Sequence, residues 1–305
     1  MGREKQQLRR VDDYLKNLYL GTVRDALDTC HPILARIEQT SNDVWGKDIC
    51  KLECCESDAN GKTNQYVSSL KRIYMVLKLP NEMAFVDDRA MMYTVNKAIS
   101  NMQNSARQVM SLELFSDGCG HIEHRMFNGI HNNFVFLPQK ISGLGYIFNN
   151  DRSLYGLKRD RDSRKACILD WGEKSGNRLL NDLTDKVTES NCDVIVTSSK
   201  VRQHIQNTLI ANRQNIDILS FNGHKAISIN GVPLFADKNC TDDIYILNTQ
   251  DFKLERLHDW LWLEDDDGSI IHKMSISDGY YAVLVKYVDL LCENVQNQTR
   301  IKVNI

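Results

Sequence analysis

Cys119, His121, His124 and His131 are the residues of this chain whose types and closeness could do chemistry. Thiolate and imidazole both ligate zinc, and a zinc ion with an open position activates water for hydrolysis. The spacing fits no standard site, however. No CxxC pair accompanies the cluster, and His121-Ile122-Glu123-His124 is not the HExxH order that puts two histidines one helical turn apart. An ordinary loop is the plainer reading, because zinc normally takes four well-spaced donors. A metal-dependent hydrolase using Cys119, His121 and His124 stands as the alternative function.

Other reactive-looking stretches fail on chemical grounds. Gly143-Leu144-Gly145 is followed by Phe148 where a dinucleotide-binding turn wants glycine. The run Val194 to Lys200 is a strand followed by Thr-Ser-Ser-Lys, without the glycines that let backbone amides reach a phosphate. The acidic run Glu264 to Asp267 lacks the spacing of a calcium loop and reads as a turn before Gly268. Cys50 and Cys54 fit the apolar side of a strand, beside Cys55. Trp260 and Trp262, two apart, share a strand face and suit a core or subunit contact better than base stacking. We therefore assign no catalytic, cofactor-binding or metal-ligating residue, expect no cofactor, and expect no enzyme.

The elements that could position such residues are clearer than the chemistry. From Asp87 or Asp88 to about Phe115, Met92, Val95, Ile99, Met102, Ala106, Val109 and Glu113 recur at steps of three and four. That period is one face of a helix, about 28 residues and roughly 42 Å long. Either aspartate can cap its start, and Gly118 and Gly120 supply the stop. Val11 to Ile37 is helical but interrupted, with Tyr14, Leu15, Leu18 and Tyr19 on one face until Pro32. A hairpin follows. Cys50, Leu52 and Cys54 alternate with charged residues, Asp58-Ala59-Asn60-Gly61 has turn chemistry, and Ile73, Met75, Leu77 and Leu79 alternate on the expected return strand. Such a long two-stranded arm is marginal alone, so those four apolar residues are the predicted inter-subunit contacts.

After Phe134-Val135-Phe136-Leu137, a strand ended by Pro138, residues 141 to 176 give no clear pattern. Leu180, Leu183 and Val187 then mark a helix, Val194 to Val196 a buried strand, and Val201, Ile205 and Leu209 a second helix capped by Ser198 or Ser199. From Ile216 the chain reads as strands punctuated by Asn222-Gly223, Asn230-Gly231, Asp267-Gly268 and Asp278-Gly279. The length suggests about two domains, with ample chain for a core. The 305 residues carry a net charge of −2, so no global basic field draws the chain to nucleic acid, although Arg3, Lys5, Arg9 and Arg10 make the first ten residues basic. Nine cysteines, an odd number, describe no secreted disulfide framework. No apolar run spans a bilayer and the amino terminus has no signal-peptide core, so a cytoplasmic setting and no membrane are expected.

The order of these elements resembles the major capsid proteins of tailed bacteriophages, whose coat fold is shared with herpesviruses. The resemblance runs over nearly the whole chain. Residues 1–44 resemble the N-terminal arm, 45–83 the extended hairpin loop, and 84–140 a peripheral domain with its spine helix ending in Leu-Phe-Ser-Asp-Gly-Cys-Gly. Residues 141–249, with the segment from Asn191 to Gln206, resemble the axial domain, and 250–305 resemble the closing strands of the peripheral domain. The resemblance implies an α+β fold: a tailed-phage capsid fold with an N-terminal arm, an extended hairpin, a spine helix and an axial α/β domain. It implies self-assembly as hexamers and pentamers into an icosahedral head around double-stranded DNA, in a virion assembled in the host cytoplasm. Scaffolding, portal and decoration proteins are the further partners it allows, and a connector or tail component is the other virion role.

Overall fold

The alternating run from Lys71 to Leu79 sits at the centre of the molecule and not on an arm. A computed structural model describes residues 2–18, 31–41, 50–57, 63–68, 70–84, 87–118, 122–125, 134–137, 140–172, 176–212, 217–221, 224–258, 260–274 and 278–303. Strands β1 (Glu38–Ser41), β2 (Cys50–Ser57), β3 (Thr63–Ser68) and β4 (Lys71–Leu79) open the chain after helix α1 (Gly2–Leu18). Ile73, Met75, Leu77 and Leu79 of β4 are 1%, 0%, 0% and 1% exposed within the single subunit. They cannot be the inter-subunit contacts expected of them. The return strand of the hairpin is β3, which pairs antiparallel with β2 in a two-stranded sheet of their own. β4 lies instead between β16 (Tyr280–Cys292) and β6 (Phe134–Leu137). Both β3 and β4 follow the turn, and the period-two pattern marks β4 as half-buried without saying what buries it.

The first sheet has the order β1-β13-β16-β4-β6-β5, with β5 (Ile122–Arg125), β13 (Phe252–Arg256), and the short β14 (Leu261–Trp262) and β15 (His272–Lys273) also on β16. Helix α2 (Asp88–Leu114) packs on β4 and β6. Asp87 caps it, accepting the Ala90 amide at 2.9 Å. Met91, Val95, Ala98, Ile99, Met102 and Val109 form its buried stripe, while Met92 is only half-buried. The N-terminal helix begins at Gly2, nine residues before the expected start, and docks on the chain's own body. Val11 and Leu15 are fully buried, Tyr14 donates to Asn96 on α2, and Arg10 pairs with Asp88. Helix α1 is therefore held by its own chain, and Arg10 is already engaged.

The second sheet has the order β7-β17-β12-β8-β11-β10-β9, from β7 (Cys167–Asp170), β8 (Val194–Thr197), β9 (Ile218–Phe221), β10 (His224–Ile229), β11 (Val232–Ala236), β12 (Asp243–Leu247) and β17 (Thr299–Lys302). Its alternation is divided between two cores. Ile195, Ile244 and Ile246 face the buried stripes of α4 (Gly176–Glu189) and α5 (Ser199–Ala211). Val194, Val196, Tyr245 and Leu247 face the core that continues into the first sheet. Burial on both faces accounts for the unbroken apolar runs of β8 and β12. Ser198 caps α5, accepting the Val201 amide. The last strand departs from expectation. Thr299–Lys302 does not close the first sheet but crosses back to lie between β12 and β7 of the second.

Candidate assembly surface

One constellation of catalytic residue types does form, from residues far apart in the chain. His31, Ser111 of α2, Asp237 and Asn239 meet where the N-terminal segment, the long helix and the second sheet adjoin. The imidazole Nε2 lies 2.8 Å from Asp237 Oδ2 and Ser111 donates to the same carboxylate at 3.1 Å. Asn239 donates to Ser111 from its side chain and to Asp237 from its backbone amide. His31 Nδ1 accepts the Ile33 amide, so the ring proton sits on Nε2 and is given to Asp237. Nucleophilic catalysis needs the hydroxyl on the imidazole. Here hydroxyl and imidazole both sit on the carboxylate, and the group works as a pin between three segments. Burial alone would raise the Asp237 carboxyl, but the bonds from His31, Asn239 and Ser111 outweigh it and hold the group below its ordinary range.

The carboxyl end of α2 is held by residues that carry no chemistry of their own. Glu113, 1% exposed, ends the apolar stripe and accepts the Ile141 amide. A Cβ on Gly143 would stand 2.3 Å from the Glu113 carbonyl, and one on Gly145 would stand 2.8 Å from that of Ser116. The two glycines that resembled a nucleotide turn are therefore a close backbone contact, carried on the short helix α3 (Leu144–Ile147). Asp289 of β16, fully buried, accepts the Ser142 amide and hydroxyl beside them. The unassigned stretch beyond is organised by Arg159, whose guanidinium donates to the carbonyls of Tyr146, Arg152 and Arg164. Burial lowers its pKa, the expected direction for a cation moved out of water.

Three of the described cysteines are not activated. Burial pushes the Cys192, Cys240 and Cys292 thiols up, which keeps them protonated and poorly nucleophilic. Cys119, His121 and His131 lie outside the described residues, as do the side chain of His124 and the turn at Asp58 to Gly61. Among the described residues no group of three or more His, Cys, Asp or Glu could hold a metal ion, and no helix is long and apolar enough to cross a membrane.

What the chain leaves unused is surface. The β2–β3 ribbon pairs with no other strand among the described residues. Large apolar side chains stand in water at Tyr93 on α2, Ile210 on α5, Ile218 on β9, and Leu261 and Leu263 at β14. Sequence reading passed over them because it sought buried stripes. The signal was present as apolar residues out of phase, since Ile210 follows the buried Leu209, and Leu261 and Leu263 alternate with Trp260 and Trp262. Trp260 is buried and Trp262 packs partly against the first core, so their face of the strand is inward.

No protein-family model matches the chain, and no curated protein does. Solved structures match it over most of its length. The holo-SrpI encapsulin complex from Synechococcus elongatus PCC 7942 superposes with a TM-score of 0.56 at 12% identity, covering 90% of this chain and 88% of that one. The cyanophage A-1(L) capsid gives 0.54 at 13% identity, covering 88% and 91%. The procapsid of satellite phage P4, which includes its size determination protein, gives 0.52 at 12% identity, covering 92% and 96%. The chain has the α+β coat fold of these shell proteins.

Proposed function

We propose that this chain, which has the fold of phage coat proteins and encapsulins, is a coat subunit that assembles as hexamers and pentamers into the icosahedral head of a tailed phage. The observation that carries this reading is the β2–β3 ribbon, a two-stranded sheet with no further strand of its own chain beside it among the described residues. Two strands alone are marginal in water, so a neighbouring subunit is the natural support. Ile210, Ile218, Leu261 and Leu263 are the apolar residues offered to further contacts. The enclosed material on this reading is double-stranded DNA. A near-neutral net charge of −2 limits repulsion among densely packed copies. The shell resides in the virion after assembly in the host cytoplasm, with scaffolding, portal and decoration proteins as further partners.

The test is sedimentation of the full chain against a variant in which residues 50–68 are replaced by a short Gly/Ser linker. The expected result is fast-sedimenting closed particles from the full chain and folded, slowly sedimenting protein from the variant. Normal particles from the variant would overturn the reading. Nuclease-protected DNA inside the particles is expected of a phage head, and closed particles without it would overturn the DNA-enclosing part of the reading.

A further inference from the structure

The second core runs off one edge of its sheet. Cross-strand pairing places Ile246 of β12, Ile195 of β8, Leu234 of β11, Ile227 of β10 and Ile218 of β9 in one row. Residues directly opposite one another share a face of the sheet, so the whole row lies on the side of α4 and α5. The first four belong to the second core and are 0%, 0%, 0% and 2% exposed, whereas Ile218 is 68% exposed. On the helix layer, Leu209 of α5 is buried in the same core and Ile210 beside it is 58% exposed. An apolar row buried over four strands and bare on the fifth is a core cut short at β9.

The backbone of β9 is open at the same place. The Ser228 amide donates to the Asp217 carbonyl at 2.8 Å, and Ile227 stands opposite Ile218. Bonded and non-bonded pairs alternate along an antiparallel ladder, so Leu219 bonds to β10 while Ile218 and Ser220 turn their N–H and C=O groups outward. Beyond β10, β9 pairs with no strand among the described residues. The opposite edge of this sheet is treated differently. At the head of β7 the Asn150 side chain accepts the Ala166 amide at 3.0 Å and donates to its carbonyl at 2.9 Å, taking the place of a strand. No proline or charge interrupts Ile218-Leu219-Ser220-Phe221, and those are the usual guards of an exposed edge.

We propose that β9 is the ring-closing edge of the subunit. An extended segment of the next copy in the ring adds to the seven-stranded sheet as one more strand. It bonds Ile218 and Ser220 through the main chain and lays an apolar side chain over Ile218, the mode in which a peptide joins an open sheet edge. This inference rests on the coat reading and goes further by assigning the contact within a hexamer or pentamer to this edge. Water can satisfy the outward backbone groups but not the bare apolar row, and a strand satisfies both. Interfaces of permanent assemblies resemble a core cut in half, which is the form of this row and favours a second copy as its cover. A ring needs a heterologous contact, one patch meeting a different patch on the next subunit, whereas β9 pairing with itself would close a two-fold dimer.

The experiment is sedimentation of the full chain beside Ile218→Lys, Ile218→Pro and Ile218→Val, each expressed alone and with the neighbouring genes. Hydrogen–deuterium exchange then compares wild-type particles with free subunits. Lysine guards an edge against an added strand, and proline removes only an outward N–H, as edge strands tolerate. Wild type and Ile218→Val should give closed particles. Ile218→Lys and Ile218→Pro should give folded, slowly sedimenting subunits that melt as wild-type subunits do. Residues 217–221 should exchange more slowly in particles than in free subunits. Normal particles from Ile218→Lys or Ile218→Pro, or unchanged exchange over 217–221, would overturn the proposal. So would an Ile218→Lys chain that fails to fold, since that would put Ile218 in the subunit's own core. Wild type that forms no particles in either preparation would instead overturn the coat reading, and this inference with it.

Discussion

The residues that matter most to this subunit act by position. Gly143 is the clearest case, because the Glu113 carbonyl occupies the space any Cβ would need. Backbone cannot swing aside as a side chain can, so Gly143→Ala should cost about 3 kcal/mol, the upper end for overpacking. A urea titration checks this, with a small effect expected for Gly156→Ser, where no atom lies within 4 Å and only the positive φ of +85° opposes a side chain. Asp237 gives a pH signature. Its folded carboxyl titrates below the ordinary value of about 3.9. Its contribution is therefore present above that value and is lost as pH falls through the lower, folded one. Asp237→Asn should be less stable than wild type at neutral pH, and the gap should narrow in denaturation curves taken below about pH 4. None of the His31, Ser111 and Asp237 contacts was legible in the sequence, because their partners stand 206 and 126 residues apart and follow no local pattern.

At the scale of elements, legibility followed periodicity. The long helix, its Asp87 cap, the α4–β8–α5 unit and the Asn230-Gly231 turn all stand where spacing put them, with φ of +49° and +84° at that turn. Ile99 belongs to the buried stripe and is 5% exposed. Ile99→Asp places an unpaired carboxylate there, at a cost on the order of 4 kcal/mol, a large part of the stability of an ordinary domain. Circular dichroism and thermal melting should show a protein largely unfolded or melting far below wild type. Pairing was not legible. Nothing local distinguishes β3 from β4 as the partner of β2, and β17 crosses to the second sheet to meet β7 and β12, distant in sequence. Residues 141–172 resisted assignment because their order rests on Arg159, Tyr155 and a tight turn. There Leu154 and Leu157 exchange backbone bonds across Tyr155 and Gly156 at positive φ.

At the scale of the whole molecule, two cores share the second sheet, so the subunit is one continuous packing problem and the ribbon is an appendage to it. The fold was foreshadowed by the order of elements and not by any single motif. The assembly surface was the least legible part, because the residues chosen for it from β4 are core and the exposed ones looked incidental. Rings or tubes would mark a connector or tail component, and closed shells a coat. The most direct measurement is therefore negative-stain electron microscopy of the heavy fraction of the expressed protein, alone and then co-expressed with its neighbouring genes. We expect closed shells bearing hexamers and pentamers in at least one of the two preparations. Only monomers in both, or open rings and tubes in either, would contradict the coat assignment.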